Sequence, residues 1–214
     1  MKPSLFVPVM FSLIAGVAHA QDAVQRIHAD VVVLQGQELR IKTTSGEALS
    51  VTLANPLRVL QESRVTLAAI VPGVFVGTTS EPQADGSLRA VLIRIFPEAL
   101  RGTGEGHRPM NTPAHNTMTN ATVTRIADPA APTMTNATVS ALGSAAQTHT
   151  MMLTYKGGER LVQVPDDVPV VQDEMASSEL LVPGAHVTVT ASQDAAGHFS
   201  ADRITVGKDG FAPI

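Results

Sequence analysis

The stretch V-P-G-V-F-V-G-T-T-S-E-P-Q-A-D-G-S-L-R-A-V-L-I-R-I-F, residues 71–96, recurs at residues 182–206 as V-P-G-A-H-V-T-V-T-A-S-Q-D-A-A-G-H-F-S-A-D-R-I-T-V. Pro72 and Gly73 fall on Pro183 and Gly184, Gly86 on Gly197 and Ile93 on Ile204, all at one offset of 111 residues. A constant offset across a turn and both flanking strands marks two copies of one small fold. Within each copy Pro-Gly presets a tight turn, because proline fixes φ at one position and glycine frees it at the next. An apolar strand, a polar turn and a second apolar strand follow.

Upstream of the first copy, Leu39, Ile41 and Thr43 alternate with Arg40, Lys42 and Thr44, the period of a strand with one wet face. Ser45-Gly46 closes a hairpin onto Leu49, Val51 and Leu53. Ile27 and residues 31–34 suggest an earlier strand, Val59-Leu60 a short later one, and residues 61–69 a short helix or a wrapping loop. The second half repeats this order: Met151, Leu153 and Tyr155 alternate, Lys156-Gly157-Gly158-Glu159 answers Thr44-Ser45-Gly46-Glu47, and residues 168–171 fall on 57–60. In residues 198–206 the apolar phase switches, so a bulge is expected near Asp202, whereas Val91, Ile93 and Ile95 stay in phase. Short antiparallel strands with almost no helix point to an all-β fold of two small barrels or sandwiches. The expected units are 24–98 and 133–210, joined by a Gly/Pro/Asn/Thr-rich linker at 99–132. T-M-T-N-A-T-V occurs at 117–123 and again at 133–139, and the later copy is nearer the register expected to open the second unit.

At the N-terminus a basic start, an apolar run from Leu5 to Val17 and Ala18-His19-Ala20 describe a secretory signal at residues 1–20. A periplasmic or secreted protein without a membrane span in its mature form is expected. Formal net charge is −4, or −5 once Lys2 is removed, and no Lys/Arg cluster offsets it, so no nucleic-acid footprint is evident. Cysteine is absent, which removes disulfides, thiol catalysis and zinc-thiolate sites together. Aromatic residues are only 3%, so the core must be built from aliphatic side chains and methionine.

The most unusual run is Arg101-Gly102-Thr103-Gly104-Glu105-Gly106-His107-Arg108. Alternate glycines let backbone N–H groups approach an anion or a neighbouring strand, and the charged residues add polar contacts. It lacks the Gly-Lys-Ser/Thr ending of a phosphate loop, and its third glycine comes too early for a dinucleotide fingerprint. Two readings stay open: a strap whose Arg and Glu pair with each unit, or a ligand-binding site made of these eight residues. His28, His107, His115, His149, His186 and His198, with Met110 and Met118, offer imidazole and thioether ligands for copper or zinc, without close ligand spacing. His186 and His198 are expected to face each other across a strand pair. For hydrolysis there is no Gly-x-Ser-x-Gly elbow, and Asp166, Asp167, Asp173 and Glu174 are read in polar loops. No catalytic residue and no cofactor is expected.

The phrase at residues 95–109, I-F-P-E-A-L-R-G-T-G-E-G-H-R-P, resembles the signature of a bacterial exported family of unknown function, the DUF5666-type proteins. Residues 134–139, 155–159, 181–185 and 206–210 resemble it too, so the likeness covers nearly all of the mature chain. The resemblance implies two tandem OB-like, Greek-key β-barrel domains joined by a Gly/Pro-rich strap, and names no activity. Members are sometimes labelled metal transporter permeases, which needs several apolar spans that this sequence lacks. Where the family often has an aromatic after His-Arg-Pro, this chain has Met110. The function expected is non-enzymatic binding or scaffolding toward an envelope protein, glycan or small ligand. A copper- or zinc-binding accessory role and an envelope hydrolase are the alternatives.

Overall fold

The computed structural model describes residues 23–110, 115–128 and 148–214. The expected signal segment and the second T-M-T-N-A-T-V lie outside them. The chain is all-β: β1 (Ala23–Gln35), β2 (Glu38–Thr43), β3 (Ala48–Val65), β4 (Phe75–Pro82), β5 (Leu88–Ile95), β6 (Gly106–Pro109), β7 (Thr117–Ala127), β8 (Thr148–Tyr155), β9 (Gly158–Pro165), β10 (Val170–Ala176), β11 (His186–Gln193) and β12 (Phe199–Gly207). Helix among the described residues is confined to three-residue 3-10 turns. Residues 61–65, read as helix or loop, simply continue β3, and only Leu67–Ala69 turns.

β1, β2, β3, β12 and β11 form a closed five-strand barrel. Period-two alternation fills it: Leu39 and Ile41 point inward while Arg40 and Lys42 face water, and they meet Val51, Val189 and Ile204 in one aliphatic core. Each such fully buried side chain contributes about 1.5–3 kcal/mol of transfer free energy. The remaining strands curl as β5-β4-β7-β8-β9 around a second core of Val76, Ile93, Met151, Leu153 and Val162. The edges of that sheet, β5 and β9, meet in parallel at Leu88↔Val162 and Arg89↔Gln163.

The strands of the two sequence halves, expected as units 24–98 and 133–210, are exchanged in the sheet. The barrel takes β1–β3 from the first half and β11–β12 from the second. The other unit takes β4–β5 from the first half and β7–β9 from the second. Each half has handed its C-terminal hairpin to the other. The crossover is carried by β3, 18 residues long, whose far end pairs antiparallel with β10. In that pairing Glu62 lies opposite Asp173, its own counterpart at the 111 offset. The contact is self-complementary about a pseudo-twofold axis, as at the interface of a symmetric dimer.

Among the described residues the strand that stands to the second unit as β1 does to the first is β7, inside the expected linker; the segment from Thr133 lies outside the described residues. Gly73 N donates to Val123 O at 2.8 Å as Gly184 N donates to Val31 O at 2.8 Å, and both strands bulge one residue later, at Val31/Val33 and Val123/Arg125. β1 thus maps onto β7 at an offset of 92 rather than 111, and the nineteen additional residues of the second half fall between β7 and β8. The bulge expected near Asp202 is present, since Arg203 pairs with Thr190 and Ala201 with Ala191. β5 has the same bulge at Val91, with Leu92 on Thr79 and Ala90 on Ser80, contrary to the in-phase expectation. Val91 is itself apolar and so conceals the change of phase.

Candidate functional site

The two units face each other across a groove of about 240 Å³. Its first wall is the outer face of the closed barrel. Arg26 on β1, Thr190 on β11, Arg203 on β12 and Arg58 on β3 are successive register partners, so three guanidinium groups stand in one row across four strands. All of them line the groove. Like charges at neighbouring positions, such as Arg203 and Arg58, oppose pairing, yet none of the three guanidinium groups makes an ion pair or hydrogen bond with another described residue. Arg203 Nε is buried without a partner. Arg26 sits at the rim, where partial burial of its guanidinium and then the charges of Arg94 and Arg203 lower its pKa, against the attraction of Glu62 and Asp173.

The second wall is built from the equivalent positions of the other unit. Met118 on β7, Thr79 on β4 and Leu92 on β5 are register partners in the places of Arg26, Thr190 and Arg203. Phe96, Leu100 and Met110 extend this apolar surface. A Cβ on Gly77 would lie 2.9 Å from both Phe96 Cε2 and Asn120 Oδ1, so this glycine is what lets the Phe96 ring settle on the sheet. Asn120 Nδ2 donates to Thr103 O at 3.0 Å, while its buried Oδ1 has no hydrogen-bond partner.

The floor is the pseudo-twofold pair. Arg94 Nη1 donates to Glu62 and to both Asp173 oxygens, at 2.9 and 3.0 Å for the latter. Both carboxylates are buried, where a charged group needs a partner, and Arg94 supplies it. Burial pushes the Asp173 carboxyl up to about 6 despite the attraction of Arg94, and the negative charge of Glu62 adds to the rise. Desolvation works against the Arg94 charge, but Asp173 and Glu62 outweigh it and raise its pKa. Reading Asp173 in a polar loop is thus corrected: it sits mid-strand, because the β10–β3 pairing buries its face. Residues 211–214 fold back onto the same floor. Arg94 Nη2 donates to Ile214 O and Ile214 N to Glu62 Oε1, both at 2.7 Å, and Thr188 Oγ1 donates to Pro213 O at 3.1 Å. Gly207 makes that return possible, since a Cβ there would lie 1.5 Å from Phe211 O.

Of the eight strap residues, Thr103, Gly104 and Arg108 line the groove, whereas Arg101, Gly102, Glu105, Gly106 and His107 do not. Arg101 pairs with Glu98 at 2.5 Å, donates to Gly73 O at 2.8 Å and lies 6.0 Å over the Phe75 ring. Glu105 Oε1 accepts from Lys156 N at 3.0 Å, and His107 Nδ1 meets Thr119 Oγ1 at 2.9 Å. Burial, and then the charge of Arg160, lowers the His107 pKa. Arg108 Nη1 donates to Gly104 O at 2.9 Å and Nη2 reaches Met118 Sδ at 3.1 Å. Gly102 and Gly106, at φ +80° and +130°, turn the chain so that β6 can pair with β7.

The histidines do not gather. His186 pairs with Asp30 at 2.5 Å and His198 with Asp194 at 3.2 Å, so these two do not face each other. His149 lies between Asp128 and Asp166, at 3.3 and 2.9 Å. Among the described residues no three His, Asp or Glu side chains converge as metal ligands. The residues that sequence reasoning missed are Arg26, Arg58, Arg203 and Arg94, which are scattered in sequence and meet only through the exchanged pairing. Comparison with protein families, with curated proteins and with solved structures finds no match for this chain.

Proposed function

We propose that this is a non-enzymatic exported binding protein that captures an anionic ligand in the groove between two OB-like units, and that it belongs with the DUF5666-type proteins its sequence resembles. The observation that carries the reading is the row Arg26–Thr190–Arg203–Arg58. Three guanidinium groups in one row repel each other, an effect that Glu62 and Asp173 offset in part at Arg26, and an oxyanion in the row removes that cost. Guanidinium forks also match carboxylate, phosphate and sulfate geometry. The strap contributes Thr103, Gly104 and Arg108 at the groove's edge. Its other five residues hold β6 and the turn before it in place. Nucleic acid is not the partner favoured, given a net charge of −4 and a groove of only about 240 Å³.

The test is calorimetric titration of the full mature chain with inorganic phosphate, sulfate and citrate at low salt, beside an Arg58→Gln/Arg203→Gln double variant. Binding of at least one anion that the double variant loses by tenfold or more is the expected result. Wild type that binds none, or binding that the double variant retains, overturns the proposal. Native mass spectrometry with and without chelator tests the copper or zinc alternative, for which retained stoichiometric metal is required. The hydrolase alternative has one favouring observation, the raised pKa of Asp173 beside the groove. Both Asp173 oxygens, however, are taken by Arg94, which favours a structural role for that carboxyl.

A further inference from the structure

The two walls of the groove are the same surface of the repeat with opposite chemistry. Arg26 is answered by Met118 and Arg203 by Leu92, while Thr190 is answered by Thr79. Phe96, Leu100 and Met110 widen the apolar side, and Leu92, Phe96, Met110 and Met118 are only half-buried there. A bare oxyanion uses the arginine row and leaves these side chains wet. A hydroxyl-rich acidic sugar satisfies the arginines and finds Thr79, Asn120 and Arg108 on the facing wall, but must strip water from its other hydroxyls against thioether, leucine and phenyl groups, which return no hydrogen bonds. An anion with an apolar body fits both walls at once.

Building on the anion-capture reading above, we infer that the ligand is a small amphiphilic anion. Its carboxylate, phosphate or sulfate lies on Arg26, Arg203 and Arg58, and its apolar body lies against Leu92, Met118 and Phe96. Arg203 Nε, buried and without a partner, is the anchor for the anionic oxygen. Arg94 is less suited to that role because its Nη1 is held by Glu62 and Asp173 and its Nη2 by Ile214. A volume of about 240 Å³ suits a single ring or a short chain.

The experiment is isothermal titration of the full mature chain with three phosphates of equal headgroup, namely inorganic phosphate, glucose 6-phosphate and phenyl phosphate. Phenylacetate beside acetate distinguishes a carboxylate from a phosphate source. Phenyl phosphate is expected to bind about tenfold tighter than the other two phosphates, the gain from burying one ring face. Leu92→Ser is expected to erase most of that ratio, and Arg203→Gln to weaken all three. Met118→Gln reads the same wall should Leu92→Ser unfold the protein. Glucose 6-phosphate binding as tightly as phenyl phosphate, or a ratio untouched by either wall variant, overturns the amphiphile while anion capture stands. Failure of every probe to bind the wild type overturns both.

Discussion

Face to face across one groove, the barrel shows Arg26 and Arg203 where the other unit shows Met118 and Leu92. The floor differs in the same way. Arg94 of one half corresponds to Thr205 of the other, Gly77 to Thr188, and Phe96 to Gly207. Where Phe96 covers the sheet the facing strand needs a glycine. Where Gly207 stands instead, Thr188 keeps its side chain and the freed space takes residues 211–214. Equivalent positions of the two units carry opposite chemistry on the groove, while the inward-facing residues of both cores are apolar alike.

The strongest way to break the comparison is at its centre. Arg94→Leu leaves Glu62 and Asp173 buried without their cation and is expected to cost about 3–5 kcal/mol in urea unfolding. Thr205→Val, at the equivalent position, is expected to stay within about 1 kcal/mol. Next comes pH. Asp173 is raised from 3.8 to about 6 in the fold, so the folded state binds the extra proton. The associated stability is fully present below about pH 4 and is lost as pH rises through about 6, on the order of 3 kcal/mol in all. Unfolding free energies of wild type and Asp173→Asn measured from pH 4 to 7 should show that slope in the wild type alone.

Smaller effects separate the two walls. Gly77→Ala forces the new methyl against Phe96 and Asn120 and is expected to destabilise by about 1–3 kcal/mol. In a double-mutant cycle Phe96→Ala should relieve part of that loss, giving a coupling of at least about 0.5 kcal/mol. Arg203→Gln carries the smallest and most telling change. Removing a charge opposite Arg58 is expected to stabilise the free protein by a few tenths of a kcal/mol at low salt, less at high salt, as read from thermal melts. A clear loss of stability there would mean that the arginine row serves the fold rather than a ligand.

Much of the all-β character was legible because strand alternation and the 111-residue offset are local signals. Asp202 was found as a bulge because Phe199 and Ile204 sit in opposite phase, while the same bulge at Val91 was hidden by an apolar residue. The exchange of hairpins was not legible, since period-two patterning tells which face is buried and not which strand is the neighbour. The place of β7 was not legible because two identical heptapeptides carry no information about which one pairs. The strap drew notice through its glycines, but the arginine row depends on Arg26 and Arg203 meeting Thr190 from either side, 164 and 13 residues away in sequence.

The handed-over hairpins also set a timetable. β1 finds its β11 partner more than 150 residues downstream, so the first three strands leave the ribosome long before anything can close their barrel. Local β-hairpins form in microseconds, whereas this closure waits on synthesis and on a distant encounter. Through that interval β1 and β3 carry open edges shaped for a β11–β12 hairpin, and a neighbouring chain's hairpin has the same shape as the chain's own. Crowding of nascent chains, more than any weakness of the finished fold, is the hazard this topology brings with it.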